Sequence, residues 1–157
     1  MMTTDMRKIT VYTDGACSGH PGPGGYGAIL IDEESGQKKE ISGGDAHTTN
    51  NRMELLGVIE ALNLLKFPCE VTLFTDSKYV SDAMRLGWAK KWKANGWMRT
   101  KNEAAKNPDL WDKLLSLCDV HHVTFMWVKG HASNPLNNRC DEMAVAKSRE
   151  FAKGSSS

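Results

Sequence analysis

Along the first fifty residues apolar and polar positions alternate with the two-residue period of β-strands. Residues 8–13 read as one strand, 25–32 as a second after the turn-forming Pro-Gly-Pro-Gly, and 38–43 as a third after Glu-Ser-Gly. Spacing this short implies an antiparallel meander. The period then changes: Leu55, Val58, Ile59, Leu62 and Leu65 recur at helical spacing, with Thr49, Asn50 and Asn51 as start signals and Pro68 as a stop. A short apolar strand over 70–75 follows that helix, which predicts a crossover and a parallel neighbour. Residues 78 to about 95 read as a helix broken near Gly87 and stopped by Gly96, 108–118 as another helix, and 122–128 as a last strand. A final helix is expected from Asn134-Pro135, with Cys140, Met143, Ala144 and Phe151 on its inner face. The expected architecture is one α/β domain over 1–152, a five-stranded mixed sheet flanked by about five helices, with 153–157 as a disordered tail.

Composition agrees with one hydrophobic core. The chain has 157 residues, 40% of them hydrophobic and 25% charged, which suits a single domain. The apolar runs are only a few residues long, far from the roughly 18 that span a bilayer, and the first residues lack an apolar signal region. A cytoplasmic, non-membrane protein is expected. Cys17, Cys69, Cys118 and Cys140 are widely spaced and form no C-x-x-C pair, which fits reduced thiols rather than a zinc site.

The formal net charge of +1 hides an asymmetry. Between Arg85 and Lys106 stand seven basic residues and the single acid Glu103, so a cationic segment is set against an acidic remainder. Four acids concentrate the chemical interest. Asp14 and Asp76 close apolar strands and precede the small residues Gly15 and Ser77, at the edge where open α/β sheets place ligands. Glu54 shares a helical row with Val58, Ala61 and Leu65, and Asp141 shares one with Ala144, Val145 and Ser148. Each acid alone also fits a turn, a cap or a surface position. Gathered together they would repel one another unless they took up protons or divalent cations, and hard oxygen ligands favour Mg²⁺ or Mn²⁺.

Six runs carry a resemblance: Tyr-Thr-Asp-Gly-Ala-Cys at 12–17, Pro-Gly-Pro-Gly-Gly-Tyr-Gly-Ala at 21–28, Thr-Thr-Asn-Asn-Arg-Met-Glu-Leu at 48–55, Thr-Asp-Ser at 75–77, Trp-Val-Lys-Gly-His at 127–131 and Asn-Arg-Cys-Asp-Glu at 138–142. In this order they resemble the bacterial ribonuclease HI family over nearly the whole chain. The resemblance implies a ribonuclease H-like fold and an endonuclease that cuts the RNA strand of RNA–DNA hybrids, leaving 5′-phosphate and 3′-hydroxyl ends. It implies that Asp14, Glu54, Asp76 and Asp141 hold two Mg²⁺ ions, for which Mn²⁺ substitutes, and that His131 assists proton transfer or product release. A monomer is expected.

The resemblance further implies RNA contacts at Gly15, Cys17, His20, Asn50, Asn51 and Lys78. Similar enzymes carry Asn at the His20 position and Gln at the Lys78 position, so hybrid affinity or cleavage-site preference is expected to differ. For the DNA strand it implies a phosphate pocket at Thr49 and Asn107 and a basic handle, matched by Trp88, Trp92, Lys93, Trp97 and Trp111. That handle is thinner than in many relatives, because Ala94-Asn95 follows Lys93 and Glu103-Ala104-Ala105 dilutes the next loop. Transposases and integrases share the sheet but usually carry separate DNA-end-binding domains, and a non-cutting hybrid binder would normally have lost one of the acids. An actin-like nucleotide-binding domain needs a duplicated fold and phosphate loops that this sequence lacks.

Overall fold

The computed structural model describes residues 6–129 and 134–155. Three antiparallel strands, β1 (Arg7–Cys17), β2 (Gly22–Asp32) and β3 (Lys38–Thr48), lead into helix α1 (Asn50–Asn63). Strand β4 (Cys69–Thr75), helices α2 (Lys78–Arg85), α3 (Trp88–Ala94) and α4 (Pro108–Val120), strand β5 (His122–Trp127) and helix α5 (Pro135–Ser155) complete the order. The five strands form one mixed sheet, ordered β3-β2-β1-β4-β5, in which β1, β4 and β5 run parallel.

Alternation along the strands divides the packing between two faces. Ile9, Val11, Ala28 and Leu30 join Val58, Leu62, Leu73, Leu114 and the fully buried Trp111 in the main core under α1 and α4. Their sequence neighbours Tyr12, Ile29 and Ile31 face a smaller cluster with Cys140 and Met143 of α5. A Cβ at Gly25 would come within 2.4 Å of the Ala144 carbonyl oxygen, and one at Gly27 within 2.7 Å of that of Cys140. The bare glycines of β2 therefore let α5 lie directly on the sheet.

The helix break falls where the sequence places it: Gly87 separates α2 from α3 with φ of 77°, a left-handed geometry that glycine adopts without strain. The strands run further than their hydrophobic alternation indicates. β1 continues through Asp14 to Cys17 because Gly24–Gly27 of β2 pairs with that small, polar stretch, and β3 continues to Thr48 for the same reason. The last helix extends to Ser155, so 153–155 of the expected tail are helical, and 156–157 lie outside the described residues. Cys69 and Cys140 are buried, Cys17 and Cys118 half-buried, and all four are free thiols. Among the described residues no helix is long and apolar enough to cross a membrane.

Candidate active site

Parallel pairing of β1 with β4 ends at Thr13 opposite Thr75, and Asp14 and Asp76 follow immediately on each strand. Glu54, in the second turn of α1, is brought to the same edge. One carboxylate oxygen from each of the three lies within 4.8 Å of the others. The backbone explains the closeness. A Cβ at Gly15 would sit 2.7 Å from the Glu54 nitrogen, so α1 can touch β1 only because that residue is glycine. The Gly15 N–H is shared between Asp14 Oδ1 and Glu54 Oε1, both at 2.9 Å.

Electrostatics at this edge is unfavourable without a cation. Asp14 is 5% exposed and Glu54 3%. Burial, then the neighbouring Asp76 charge, pushes the Asp14 carboxyl up to about 7. Burial and the Asp14 and Asp76 charges hold Glu54 well above the usual carboxylate range. Glu54 Oε2 is buried and has no hydrogen-bond partner among the described residues. An orphaned hard oxygen beside two further carboxylates fits a divalent cation, which would satisfy that atom and relieve the repulsion. Asp141, near the start of α5, is exposed and stands outside the trio, although its charge reaches Asp14 and raises it further. His131 lies outside the described residues.

The second strand tip is held from several sides. Thr75 Oγ1 accepts the Ser77 N–H at 3.1 Å, Ser77 caps α2 by accepting from Val80 N at 3.2 Å, and Trp127 Nε1 donates to the Asp76 carbonyl at 3.1 Å. Lys78 is exposed, its Nζ 4.8 Å from the centre of the Trp127 ring. On the other side Thr49 caps α1, accepting from Arg52 N at 3.2 Å, and Asn50 and Asn51 are exposed on its first turn. Cys17 Sγ lies 3.4 Å from the Thr48 carbonyl and 3.5 Å from that of Gly22, tying the loop bearing the exposed His20 to β3.

Next to α1 a groove opens between Asn51, Tyr79, Trp88, Trp92, Arg99 and Lys106. It is basic and aromatic together, and Trp88 is 40% exposed. Asn107 stands beside it, at the entrance to α4. Lys93 is exposed and paired with Asp112 at 2.8 Å.

A family model described as RNase H matches residues 6–149. The chain belongs to the RNase H family. The Ribonuclease H of Desulforamulus reducens is 58% identical over 147 residues, covering 94% of this chain and 91% of that protein. The Ribonuclease HI of a Synechocystis strain is 57% identical over 145 residues, covering 92% and 90%. This RNase H family member is thus placed with the bacterial ribonucleases HI, and it is a hydrolase acting on nucleic acid. Among solved structures, LC9-RNase H1, a type 1 RNase H with the type 2 active-site motif, superposes with a TM-score of 0.83 at 30% identity over 96% of this chain and 76% of that one. LC11-RNase H1, solved in complex with an RNA/DNA hybrid, shares the fold at a TM-score of 0.70 and 24% identity, over 90% and 97%. The five-stranded mixed sheet with five helices is the RNase H fold.

Within this RNase H family member the matched tryptophans separate. Trp88 and Trp92 line the groove, whereas Trp111 is a core residue with no exposed surface. Three residues around the site make contacts that the sequence pattern does not assign them. Trp127 grips Asp76, Tyr79 borders the groove, and Arg52 forms a bidentate pair with Asp109 at 2.8 and 3.1 Å. Each acts through a partner distant in the chain, which periodicity does not disclose.

Proposed function

We propose that the chain is an endonuclease that hydrolyses the RNA strand of RNA–DNA hybrids, with Asp14, Glu54, Asp76 and Asp141 as ligands for two Mg²⁺ ions. The observation that carries this reading is the carboxylate trio at the end of β1 and β4, with Asp14 and Glu54 buried and Glu54 Oε2 lacking any hydrogen-bond partner among the described residues. Divalent ions held by these oxygens would supply an activated water for in-line attack on phosphorus and charge stabilisation for the departing 3′ oxygen. The chain's own part is to hold the oxygens in place. Gly15 N–H orients two of the carboxylates, the Trp127 indole and the Thr75 hydroxyl fix the turn carrying Asp76, and exposed Asp141 completes the rim. His131 follows β5 closely in the sequence and is assigned proton transfer or product release, a role suited to an imidazole.

Recognition rests on two surfaces. Gly15, Cys17, His20, Asn50, Asn51 and Lys78 are assigned to the RNA strand, where exposed 2′-hydroxyls in a shallow minor groove mark RNA from DNA. Thr49 and Asn107, with Trp88, Trp92 and Lys93, are assigned to the DNA backbone, whose phosphates confer salt-dependent, sequence-independent affinity. LC11-RNase H1, whose structure holds an RNA/DNA hybrid, supports this partner through shared fold.

The test uses labelled RNA–DNA hybrid, duplex RNA and duplex DNA, each with Mg²⁺ and with chelator. Cutting confined to the RNA of the hybrid, with 5′-phosphate products and full loss in chelator, is the expected result. Equal cutting of all three, or of none, refutes the proposal.

A further inference from the structure

We propose that Tyr79 is a positioning residue for the DNA strand: its hydroxyl aims the Asn107 amide at a backbone phosphate. This rests on the reading of Asn107 as a phosphate contact and adds the device that sets its orientation.

Asn107 stands at the N-terminal cap of α4 in a left-handed conformation, φ 59° and ψ 42°, yet its side chain does not cap that helix. Its amide is directed elsewhere. Arg52 Nη1 donates to Asn107 Oδ1 at 3.2 Å, and the guanidinium is itself fixed by the two bonds to Asp109. Because a guanidinium only donates, it determines which end of the amide faces it. Nδ2 is left pointing the other way, and it donates to the Tyr79 hydroxyl at 3.2 Å.

That hydroxyl is fully engaged. Trp111 Nε1 also donates to it, at 3.0 Å, and an indole N–H likewise has no acceptor capacity. Two N–H groups occupy the acceptor positions of the oxygen, and its proton is left for the Lys106 carbonyl at 3.5 Å. The ring packs on Trp111 at 5.2 Å between centroids, so the buried core sets where the hydroxyl sits. Asn107 thereby has its oxygen and one N–H committed, and a second N–H remains for a ligand. Tyr79, Arg99 and Lys106 border the same basic groove, where a phosphate oxygen is the acceptor that fits.

A purely structural Tyr79, present only to satisfy Trp111, would behave differently. The experiment compares steady-state cleavage of RNA–DNA hybrid by the wild type, Tyr79→Phe, Asn107→Ala, the double variant and Trp111→Phe, with thermal midpoints for each. Trp111→Phe removes the buried indole N–H but leaves the Tyr79–Asn107 contact. The expected result is a KM rise of about three- to tenfold for Tyr79→Phe and for Asn107→Ala, with kcat within about twofold. The double variant should be no worse than Asn107→Ala alone, since both changes remove one interaction. Trp111→Phe should lower the thermal midpoint without raising KM. An unchanged KM in Asn107→Ala overturns the phosphate-contact reading. A raised KM there with none in Tyr79→Phe overturns the positioning role, as do additive effects in the double variant or an equal KM rise in Trp111→Phe.

Discussion

Asp14 and Asp76 stand side by side, each one residue beyond the Thr13–Thr75 pair that ends the parallel ladder of β1 and β4. Their separation is set by the sheet. The ladder begins at Arg7 opposite Cys69 and runs without a register shift through the buried Val11–Leu73 pair, so slippage by one residue would turn apolar side chains out of the core. Folding energy thus holds two like charges together.

Titration should expose that cost. An unperturbed aspartate loses its proton at 3.8, whereas Asp14 in the fold loses it at about 7. Between these values the folded protein holds a proton that the unfolded chain has released, so this contribution is complete below 3.8 and is lost as pH rises through about 7. At roughly 1.4 kcal/mol per pKa unit it amounts to a few kcal/mol. In metal-free protein, Asp14→Asn should be more stable than wild type at about pH 8, and the advantage should vanish towards about pH 4. Denaturant unfolding across pH measures it; a difference independent of pH contradicts the argument.

Asp141 should separate chemistry from stability. It is exposed and apart from the trio, so Asp141→Asn should leave metal-free stability within about 0.5 kcal/mol. As a proposed ligand it should nevertheless cost about tenfold or more in turnover on hybrid. Parallel unfolding and single-turnover measurements decide it, and unimpaired turnover removes Asp141 from the ligand set.

Much of this is legible in the chain. The apolar patterning locates all five strands because burial on a face imposes it, and the glycine at 87 marks the helix break because its φ of 77° suits that residue. The helical row shared with Val58 and Ala61 sets Glu54 toward the packed face, and in the fold Glu54 is buried with them. The continuation of β1 past Asp14 is not legible, since Gly-Ala-Cys has no alternation and pairs only because β2 offers glycines opposite. Tyr79 is equally silent. Its role depends on Asn107 and Trp111, 28 and 32 residues away.

Gly15 should tolerate no side chain. Alanine there would press its Cβ to within 2.7 Å of the Glu54 nitrogen and 2.8 Å of the Met53 carbonyl carbon, both main-chain atoms in a helix that cannot bend away singly. Gly15→Ala should therefore destabilise the fold by about 1–3 kcal/mol, the usual range for overpacking, and displace Glu54 from the trio. Chemical denaturation gives the first effect, and Mg²⁺ titration followed by calorimetry gives the second as weakened binding. Normal stability and normal metal affinity together would show that α1 can recede freely.

As a proposed phosphate contact, Lys93 would have to leave Asp112, to which it is bonded at 2.8 Å with both side chains about half exposed. Exchanging one exposed ion pair for another yields little, since such pairs are worth about 1 kcal/mol or less. Asp112 would therefore compete with substrate for this proposed contact. Asp112→Ala should release Lys93 and tighten hybrid binding about two- to fivefold at low salt, and the gain should fade as salt screens the phosphate contact. Adding Lys93→Ala to that variant should abolish the gain, because no cation is left to release. Lys91 borders the groove, and no ion pair holds it among the described residues. Lys91→Ala should accordingly lower the slope of log affinity against log salt by about 0.9. Binding isotherms at several salt concentrations read both effects, and an Asp112→Ala protein with wild-type affinity throughout would mean that Lys93 does not meet the hybrid.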